Sequence, residues 1–264
     1  MRNIDFWGEA PYGYEEKYNE GNNSGLPVLD FFPASEKGEH SCMLILPGGG
    51  YNHLADHEGE NIAKKLGENG ISAFVLYYRV FPYAFPVNFY DVKKAFSHIR
   101  KNAEKYRINK LGIMGFSAGA HLACTYTEHF DRYNDIDEES FRPDALGLCY
   151  PVISFTDENI MHAGSLSCFF GNDEKRKSEL AEHFSCEKNV REDMPPVFLW
   201  HSFEDKSVNC INSLVMARSL KEKNIPFELH LFPNGRHGCD LATDIEGTKQ
   251  WFDLHVNWLK RQGF

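Results

Sequence analysis

The pentapeptide Gly115-Phe116-Ser117-Ala118-Gly119 constrains the fold of this chain more than any other stretch. It reads G-x-S-x-G and directly follows an apolar, strand-like run at residues 110–114. A compact, helix-compatible segment at residues 118–124 comes next. On a sharp turn between a strand and a helix, a serine is lifted above the edge of a sheet, and small neighbours let the backbone bend that tightly. The motif is common by itself, so its meaning depends on the rest of the chain.

Strand and helix signals alternate along the remaining sequence. Short apolar runs predict strands at residues 28–32, 42–46, 71–78, 110–114, 145–150, 197–201 and 227–232. Apolar stripes of helical period predict helices at residues 58–68, 87–106 and 209–224, and a last helix carrying Phe252, His255, Val256 and Leu259. Continuous apolar strands are typical of parallel sheets that are covered on both faces. We therefore predict an α/β fold with a doubly wound, mostly parallel sheet flanked by helices.

The 264 residues, of which 42% are hydrophobic, suit one domain spanning residues 1–264. Two segments depart from the alternating pattern. Residues 1–27 predict an irregular segment that packs over the domain edge. Residues 154–194 contain no strand signal, carry a run of charges at 173–177 and include several phenylalanines. An excursion of that length inside a compact domain favours a small cap or lid insertion, with a plain surface excursion as the alternative.

The charge balance narrows the classes of partner. With 28 Lys and Arg against 38 Asp and Glu, the formal charge is −10. A nucleic-acid backbone or an anionic membrane surface would be repelled, so neither is expected as a partner. A neutral or weakly charged small molecule fits better. The N-terminal residues lack an apolar signal core, and no run approaches the roughly 18 apolar residues of a membrane span, which predicts a cytoplasmic protein.

Metal and cofactor signals are weak. The seven cysteines are scattered, without C-x-x-C spacing, which predicts reduced and mostly buried thiols. His53 and His57 lie four residues apart, but no third ligand is suggested and the H-E-x-x-H pattern is absent. We predict neither a metal nor another cofactor.

A general base for Ser117 is predicted at His237. It lies in a glycine-flanked loop just beyond the predicted strand at 227–232, and such sheets bind ligands at the carboxyl ends of their parallel strands. The other histidines are less favourable, since His201 and His230 fall within strand runs and His121 follows the serine as a packing or capping residue. A structural loop histidine is the alternative for His237.

The acid that would orient the imidazole is predicted at Asp205, in the loop after the strand at 197–201. Glu204 is its nearest rival, and Asp240 ranks third because it lies so close to His237 in sequence. The resulting chain order is Ser117, Asp205, His237, which is the order found in α/β-hydrolases and differs from those of chymotrypsin and subtilisin. An activated serine, a base and an orienting acid are what acyl transfer requires.

Four sequence blocks together resemble the α/β-hydrolase superfamily, over about residues 40–260. They are Leu46-Pro47-Gly48-Gly49-Gly50-Tyr51, then Tyr77-Tyr78-Arg79 with Pro82 and Pro86, then Gly115-Phe116-Ser117-Ala118-Gly119-Ala120-His121-Leu122-Ala123, and the acid and histidine loops. Within the superfamily the chain looks like small esterases related to acetylxylan esterases and to the hormone-sensitive-lipase group. It departs from the lipase pattern at Pro47, where a histidine is usual, and at Ala120, where a third elbow glycine is frequent.

An oxyanion hole is predicted on two grounds. The Ala118 N–H at the start of a helix would point toward developing negative charge. By the resemblance, the N–H groups of Gly49 and Gly50 would join it. Glycine backbones also permit the close approach to a substrate carbonyl that this role needs, although a flexible turn is the alternative.

The resemblance implies an acyl-enzyme mechanism on short-chain, acetyl esters, with acetylated sugars or oligosaccharides as substrates. Tyr51, Phe116, Tyr83 and Phe169 are the aromatic residues predicted to contact substrate, and core packing is their alternative role. An amide or formamide hydrolase with the same three residues, as in related peptidases and arylformamidases, remains open. A non-catalytic binding protein is a third hypothesis, and a homodimer is kept open.

Overall fold

The computed structural model describes residues 1–18, 25–34, 38–136, 138–139 and 141–264. Within them, seven strands form one sheet in the spatial order β1-β3-β2-β4-β5-β6-β7. The strands are β1 (Val28–Phe32), β2 (His40–Leu46), β3 (Ser72–Tyr77), β4 (Ile108–Phe116), β5 (Leu146–Cys149), β6 (Val197–Ser202) and β7 (Phe227–Phe232). All seven strands predicted from the sequence are present.

The pairing of these strands places four loops at one edge of the sheet. Only β1 runs antiparallel, against β3, and the remaining pairs are parallel. The chain passes from β2 to β3 on one side and then returns to β4 on the other side of β2. The loops after β2 and β4 therefore diverge from neighbouring strand ends, the place where open α/β sheets bind ligands. The loops after β6 and β7 end at the same edge.

Helices cover both faces of the sheet because the strand residues alternate in direction. Met43 and Ile45 belong to one apolar layer with residues of the helices at 60–68 and 251–261, whereas Leu44 and Leu46 belong to the other layer with residues of the helices at 87–101, 118–129 and 211–222. The helices are α1 (Glu60–Glu68), α2 (Val87–Lys101), α3 (Ala103–Tyr106), α4 (Ala118–His129), α5 (Ala163–Phe169), α6 (Glu174–Leu180), α7 (Ile211–Glu222) and α8 (Trp251–Arg261). The core thus consists of two apolar layers, one on each side of the sheet.

The single helix predicted at residues 87–106 is wrong, because the structure divides it into α2 and α3. Asn102 lies at the break, and its side-chain amide donates to the carbonyl oxygen of His98 at 2.8 Å. An asparagine that bonds the preceding turn in this way competes with the regular helical pattern.

The predicted insertion at residues 154–194 has no strand among its residues, all of which are described, but it is more regular than expected. It contains α5, α6 and a short 3-10 turn, Cys186–Lys188. Phe155, Phe169, Phe170 and Phe184 are all buried in it. These side chains join the main core, so the segment is anchored by packing. Its role as a lid stays a prediction.

The N-terminal segment packs along β1. Ile4 forms an isolated antiparallel bridge with Leu29, and the N-terminal ammonium group donates to the Phe31 carbonyl oxygen at 2.7 Å. Of the irregular segment predicted at 1–27, residues 19–24 lie outside the described residues. In the described part of the chain, no helix is long and apolar enough to cross a membrane.

Candidate active site

Ser117 occupies the turn between β4 and α4. Its φ and ψ of 54° and −119° lie in a region that a non-glycine residue rarely adopts. The flanking glycines make the turn possible. A Cβ atom at Gly115 would lie 2.2 Å from the carbonyl oxygen of Gly119, and one at Gly119 would lie 2.2 Å from that of Leu46. No larger side chain fits at either position, so the G-x-S-x-G spacing is required by close backbone approach.

His237 connects Ser117 to Asp205. Its Nε2 lies 2.8 Å from Ser117 Oγ, and its Nδ1 lies 2.6 Å from Asp205 Oδ2. Because a carboxylate only accepts, Nδ1 carries the proton, and Nε2 is free to accept from the serine hydroxyl. The structure therefore brings together the three residues proposed from sequence, in the orientation that nucleophile activation requires.

Asp205 is held by more than one donor. The backbone N–H groups of Ser207 and Val208 both donate to Oδ1 at 2.9 Å, and Nε2 of the buried His201 lies 3.3 Å from Oδ2. Burial alone would raise the pKa of Asp205, but hydrogen bonds from His201 and His237 hold it well below its usual range. Asp205 thus remains a carboxylate beside the imidazole.

The two rival acids point elsewhere. Glu204 accepts a hydrogen bond from the backbone N–H of Gly235 at 3.4 Å, and Asp240 accepts one from Asn61 at 2.9 Å. Neither carboxyl group has a hydrogen bond to His237 among the described contacts.

The residues predicted to supply the oxyanion donors lie near Ser117, since Gly49 and Gly50 line the same cleft and Ala118 directly follows the serine. Gly49 and Gly50 have φ values of 119° and 65°, so both lie where glycine is favoured. A Cβ atom at Gly49 would lie 2.2 Å from the carbonyl oxygen of His53. Ala118 begins the twelve-residue helix α4. Among the described contacts, the N–H groups of these three residues have no protein acceptor, which leaves them available to a bound oxygen atom.

Two buried contacts support the loop that carries Gly49 and Gly50. Tyr51, which follows them, donates its hydroxyl to His121 Nδ1 at 2.7 Å, and His121 Nε2 donates to the Phe184 carbonyl oxygen at 2.8 Å. Burial lowers the pKa of His121 to about 4, so the ring is neutral at pH 7. On the other side, Glu58 accepts from the Gly48 N–H at 2.7 Å. The loop is therefore fixed both to α4 and to the short turn Asp56–Glu58.

The prediction that four aromatic residues contact substrate is wrong for the cleft beside Ser117. Tyr51, Phe116, Tyr83 and Phe169 are all buried, and none of them lines it. Tyr51 and Phe169 pack against each other and against His121, whereas Phe116 packs on Trp251 on the other face of the sheet. Their apolar bodies gain more from core packing than from partial exposure.

Glycines, histidines and a few other small or polar residues line the cleft instead. The cavity has a volume of about 560 Å³. Its walls are formed by Gly49, Gly50, Asn52, His53, Ala55, His57, Glu58, Ser117, His162, Gly164, Cys168, Ser207, His237 and Gly238. Three of these residues, His162, Gly164 and Cys168, come from the predicted insertion, which therefore forms one wall. Apart from Glu58, the other new polar residues of the lining are Asn52, Ser207 and histidines.

The sequence reasoning did not assign Glu58, His57, His162, His201 or Ser207 to the site, although His57 was considered as a metal ligand and His201 as a base. Weak signals pointed to only three of them. His201 and Ser207 flank Asp205 within four residues, and Glu58 follows the glycine loop by eight residues. His162 had no signal, because it reaches the cleft only through the packing of the insertion.

The described residues contain one group of potential metal ligands, and it lies outside the cleft. Ligand atoms of Cys124, Glu128 and Cys186 lie within 4.8 Å of one another in the core. Burial raises the pKa of the Cys124 thiol and of the Glu128 carboxyl group well above their usual ranges. Both groups are therefore neutral, and neutral thiols are poor metal ligands.

Comparison with known proteins gives consistent matches. The BD-FAE family model matches residues 29–220. Endo-1,4-beta-xylanase B of Butyrivibrio fibrisolvens is 38% identical over 250 residues, covering 91% of this chain and 38% of that protein. An acetylxylan esterase of Xylanibacter ruminicola is 30% identical over 250 residues, covering 92% of this chain and 49% of that protein. The chain thus spans less than half the length of these two relatives.

A solved structure resembles the whole chain. The acetyl ester-xyloside bifunctional hydrolase from Caldicellulosiruptor lactoaceticus is 36% identical, with a TM-score of 0.86. The alignment covers 100% of this chain and 97% of that one. Together with the strand order, this similarity confirms the α/β-hydrolase fold predicted from the sequence.

Proposed function

Because the chain belongs to the BD-FAE family of α/β-hydrolases, we propose that it is a serine esterase that removes acetyl groups from sugars or xylo-oligosaccharides. One observation carries the proposal. His237 joins the Ser117 hydroxyl and the Asp205 carboxylate through contacts of 2.8 and 2.6 Å. This arrangement can deprotonate a serine while holding the imidazole in the tautomer that accepts the proton.

In the proposed mechanism, Ser117 Oγ attacks the ester carbonyl carbon and its proton passes to His237 Nε2. The carbonyl oxygen gains negative charge and accepts hydrogen bonds from Gly49, Gly50 and Ala118. Collapse of this intermediate releases the alcohol, which takes the proton from His237, and leaves an acetyl group on Ser117. Water then attacks the acyl-enzyme by the same steps, releasing acetate and restoring the serine.

The cleft lining supports a neutral, hydroxyl-rich alcohol. Asn52, His57, His162 and Ser207 offer side-chain hydrogen-bonding groups around Ser117, and no lysine or arginine lines the cleft among the described residues. Such groups can form hydrogen bonds with the hydroxyls of a sugar. The names of the matched relatives, an acetylxylan esterase and an acetyl ester-xyloside hydrolase, support the same substrate class. The cytoplasmic location and the homodimer stay predictions.

The test compares the purified wild-type protein with Ser117→Ala on acetylated xylo-oligosaccharides and on aryl acetates. We expect the substitution to lower kcat by at least about 10⁴-fold because it removes the nucleophile, while the far-ultraviolet circular dichroism spectrum stays unchanged. Acetate release that persists in the variant would refute the assignment. An aryl formamide or aminoacyl anilide serves as the competing substrate, and faster turnover of the amide would favour the amidase alternative.

A further inference from the structure

Glu58 is a buried carboxylate beside the nucleophile that the mechanism above does not use. It is only 2% exposed, yet it forms part of the wall of the cleft with Ser117 and His237. Burial raises the pKa of Glu58, and the hydrogen bonds from Tyr150 and Gly48 offset this only partly. A carboxyl group buried at such cost next to reactive groups is a candidate for a functional role.

The first contact of Glu58 fixes the oxyanion loop. Its Oε2 accepts the Gly48 N–H at 2.7 Å. A Cβ atom at Gly48 would lie 2.7 Å from that oxygen, 2.8 Å from the Phe116 carbonyl oxygen and 2.9 Å from Ser117 Cβ. The Gly48 backbone is therefore held between Glu58 and the turn that carries the nucleophile. A shift of this carboxylate would displace the Gly49 and Gly50 donors that follow.

The second contact reaches the base. Glu58 Oε1 accepts the Tyr150 hydroxyl at 2.7 Å, and the Tyr150 ring packs edge-on against the His237 imidazole with the ring centroids 5.1 Å apart. Tyr150 lies just after β5 with a φ of 36°, an unfavourable backbone conformation that its contacts must maintain. One carboxylate thus links the oxyanion loop to the residue that supports the base.

We propose that Glu58 is a positioning residue, which through Gly48 and Tyr150 holds the oxyanion donors and His237 in register around Ser117. This inference rests on the proposed esterase function. Oxyanion donors act only when they are preorganised for the charge that develops in the transition state. Loss of Glu58 should therefore lower kcat and leave KM nearly unchanged.

The experiment compares Glu58→Ala, Glu58→Gln and Tyr150→Phe with the wild type on an aryl acetate. Alanine leaves both Gly48 N–H and the Tyr150 hydroxyl without their partner, and we expect kcat to fall about 10- to 100-fold. Glutamine can accept from Gly48 through its oxygen and donate to Tyr150 through its nitrogen, so we expect kcat within about five-fold of wild type. Tyr150→Phe keeps the ring but loses one link, and we expect an intermediate loss.

Glu60→Ala serves as the matched control. Glu60 lies two residues away on the surface, where it pairs with Arg2 and Lys64, and its loss should leave kcat unchanged. Three results would overturn the inference: wild-type kcat in Glu58→Ala, equal losses in the alanine and glutamine variants, or a change confined to KM. If Glu58→Ala does not fold, Glu58→Gln and Tyr150→Phe still test the inference. An equal and large loss of kcat in both would contradict it, because Glu58→Gln is expected to retain more activity than Tyr150→Phe.

The rate of Ser117 labelling by a fluorophosphonate separates this inference from the proposed function. The reaction places a phosphoryl oxygen in the same hole and needs no assumption about the substrate. Should the wild type label rapidly without hydrolysing acetyl esters, the proposed substrate class fails, and slower labelling of Glu58→Ala alone would still support the positioning role. Absence of labelling in the wild type would overturn both.

Discussion

Asp205 and Glu58 are two buried carboxyl groups beside the same histidine, but their surroundings shift their pKa values in opposite directions. Asp205 is 9% exposed and has the His237 and His201 imidazoles and two backbone N–H groups around it. Glu58 is 2% exposed and has one backbone N–H and one phenol. Burial raises the pKa of both groups, and only at Asp205 do the donors outweigh it.

The difference shows that the donors around a buried acid, together with its depth, set the direction of its pKa shift. Asp205 can therefore serve as a permanent anion that orients His237. Glu58 has a smaller preference for its charged form, which suits a group whose role is to hold a loop by accepting hydrogen bonds. The same chemical change, carboxylate to amide, should then have unequal effects at the two positions.

The largest expected effect is on catalysis by Asp205→Asn. The amide nitrogen would donate toward His237 Nδ1, which favours the tautomer with a proton on Nε2 and prevents that nitrogen from accepting the serine proton. A loss of about 10³- to 10⁴-fold in kcat follows, as expected for disruption of this kind of acid–histidine pair. Steady-state kinetics on an aryl acetate measure it, with circular dichroism as the folding control. A loss as small as that of Glu58→Gln would refute the distinction between the two acids.

A second, smaller effect concerns thermal stability at pH 7. Asp205→Asn removes a stabilised anion and leaves its donors poorly paired, so Tm should fall by about 2–8 °C, the shift expected for about 1–2 kcal/mol in a chain of this size. Glu58→Gln removes a charge that burial disfavours, and its Tm should stay at or above that of the wild type. Scanning calorimetry of both variants decides between these outcomes. Equal decreases in Tm would show that the two carboxylates are equivalent in the folded protein.

The smallest effect is the pH dependence of these differences. Since the folded-state pKa of Asp205 is depressed, its contribution is full above the unfolded value of about 3.9 and is lost as pH falls through the folded value. The folded-state pKa of Glu58 is raised, so its ionisation cost is present at high pH and disappears as pH falls toward the unfolded value of about 4.3.

Urea unfolding at pH 7, 5.5 and 4.5 tests both signs. The free-energy difference between Asp205→Asn and the wild type should persist over this range, whereas the difference for Glu58→Gln should shrink as pH falls. If the Glu58→Gln variant instead became more stable relative to the wild type as pH fell toward 4.5, the pKa of Glu58 would be depressed rather than raised.

Much of the fold was predictable because it depends on local patterns. Strands inside such a sheet are short apolar runs, and all seven strands were visible in this way, including the antiparallel β1 and the partly exposed β7. The helix boundaries were harder. Residues 87–106 carry one apolar stripe, but the helix is interrupted at Asn102, whose side chain bonds the preceding turn. Hydrophobic periodicity does not detect such a contact. The regular structure of residues 154–194 was missed because α5 and α6 have only seven residues each and α6 is strongly charged.

The positions of the proposed catalytic residues were predictable for a topological reason. The carboxyl ends of parallel strands meet at one edge, so a serine after β4, an aspartate after β6 and a histidine after β7 must be neighbours there. The aromatic residues offered no comparable constraint. A tyrosine or phenylalanine in a loop packs wherever the tertiary structure leaves apolar space, and Tyr51, Phe116, Tyr83 and Phe169 all entered the core.

The sequence by itself determined the tight turn at Gly115-Phe116-Ser117-Ala118-Gly119, since only glycine fits where an added Cβ atom would lie 2.2 Å from a carbonyl oxygen. It also determined the order of strands along the chain, and with it the edge of the sheet where Ser117, Asp205 and His237 lie. The tertiary structure alone decided which side chains surround them. Glu58 and His162 reach the site through contacts between segments distant in sequence, and His201 contacts Asp205 from within the buried strand β6, so local patterns gave at most a weak signal for these three residues.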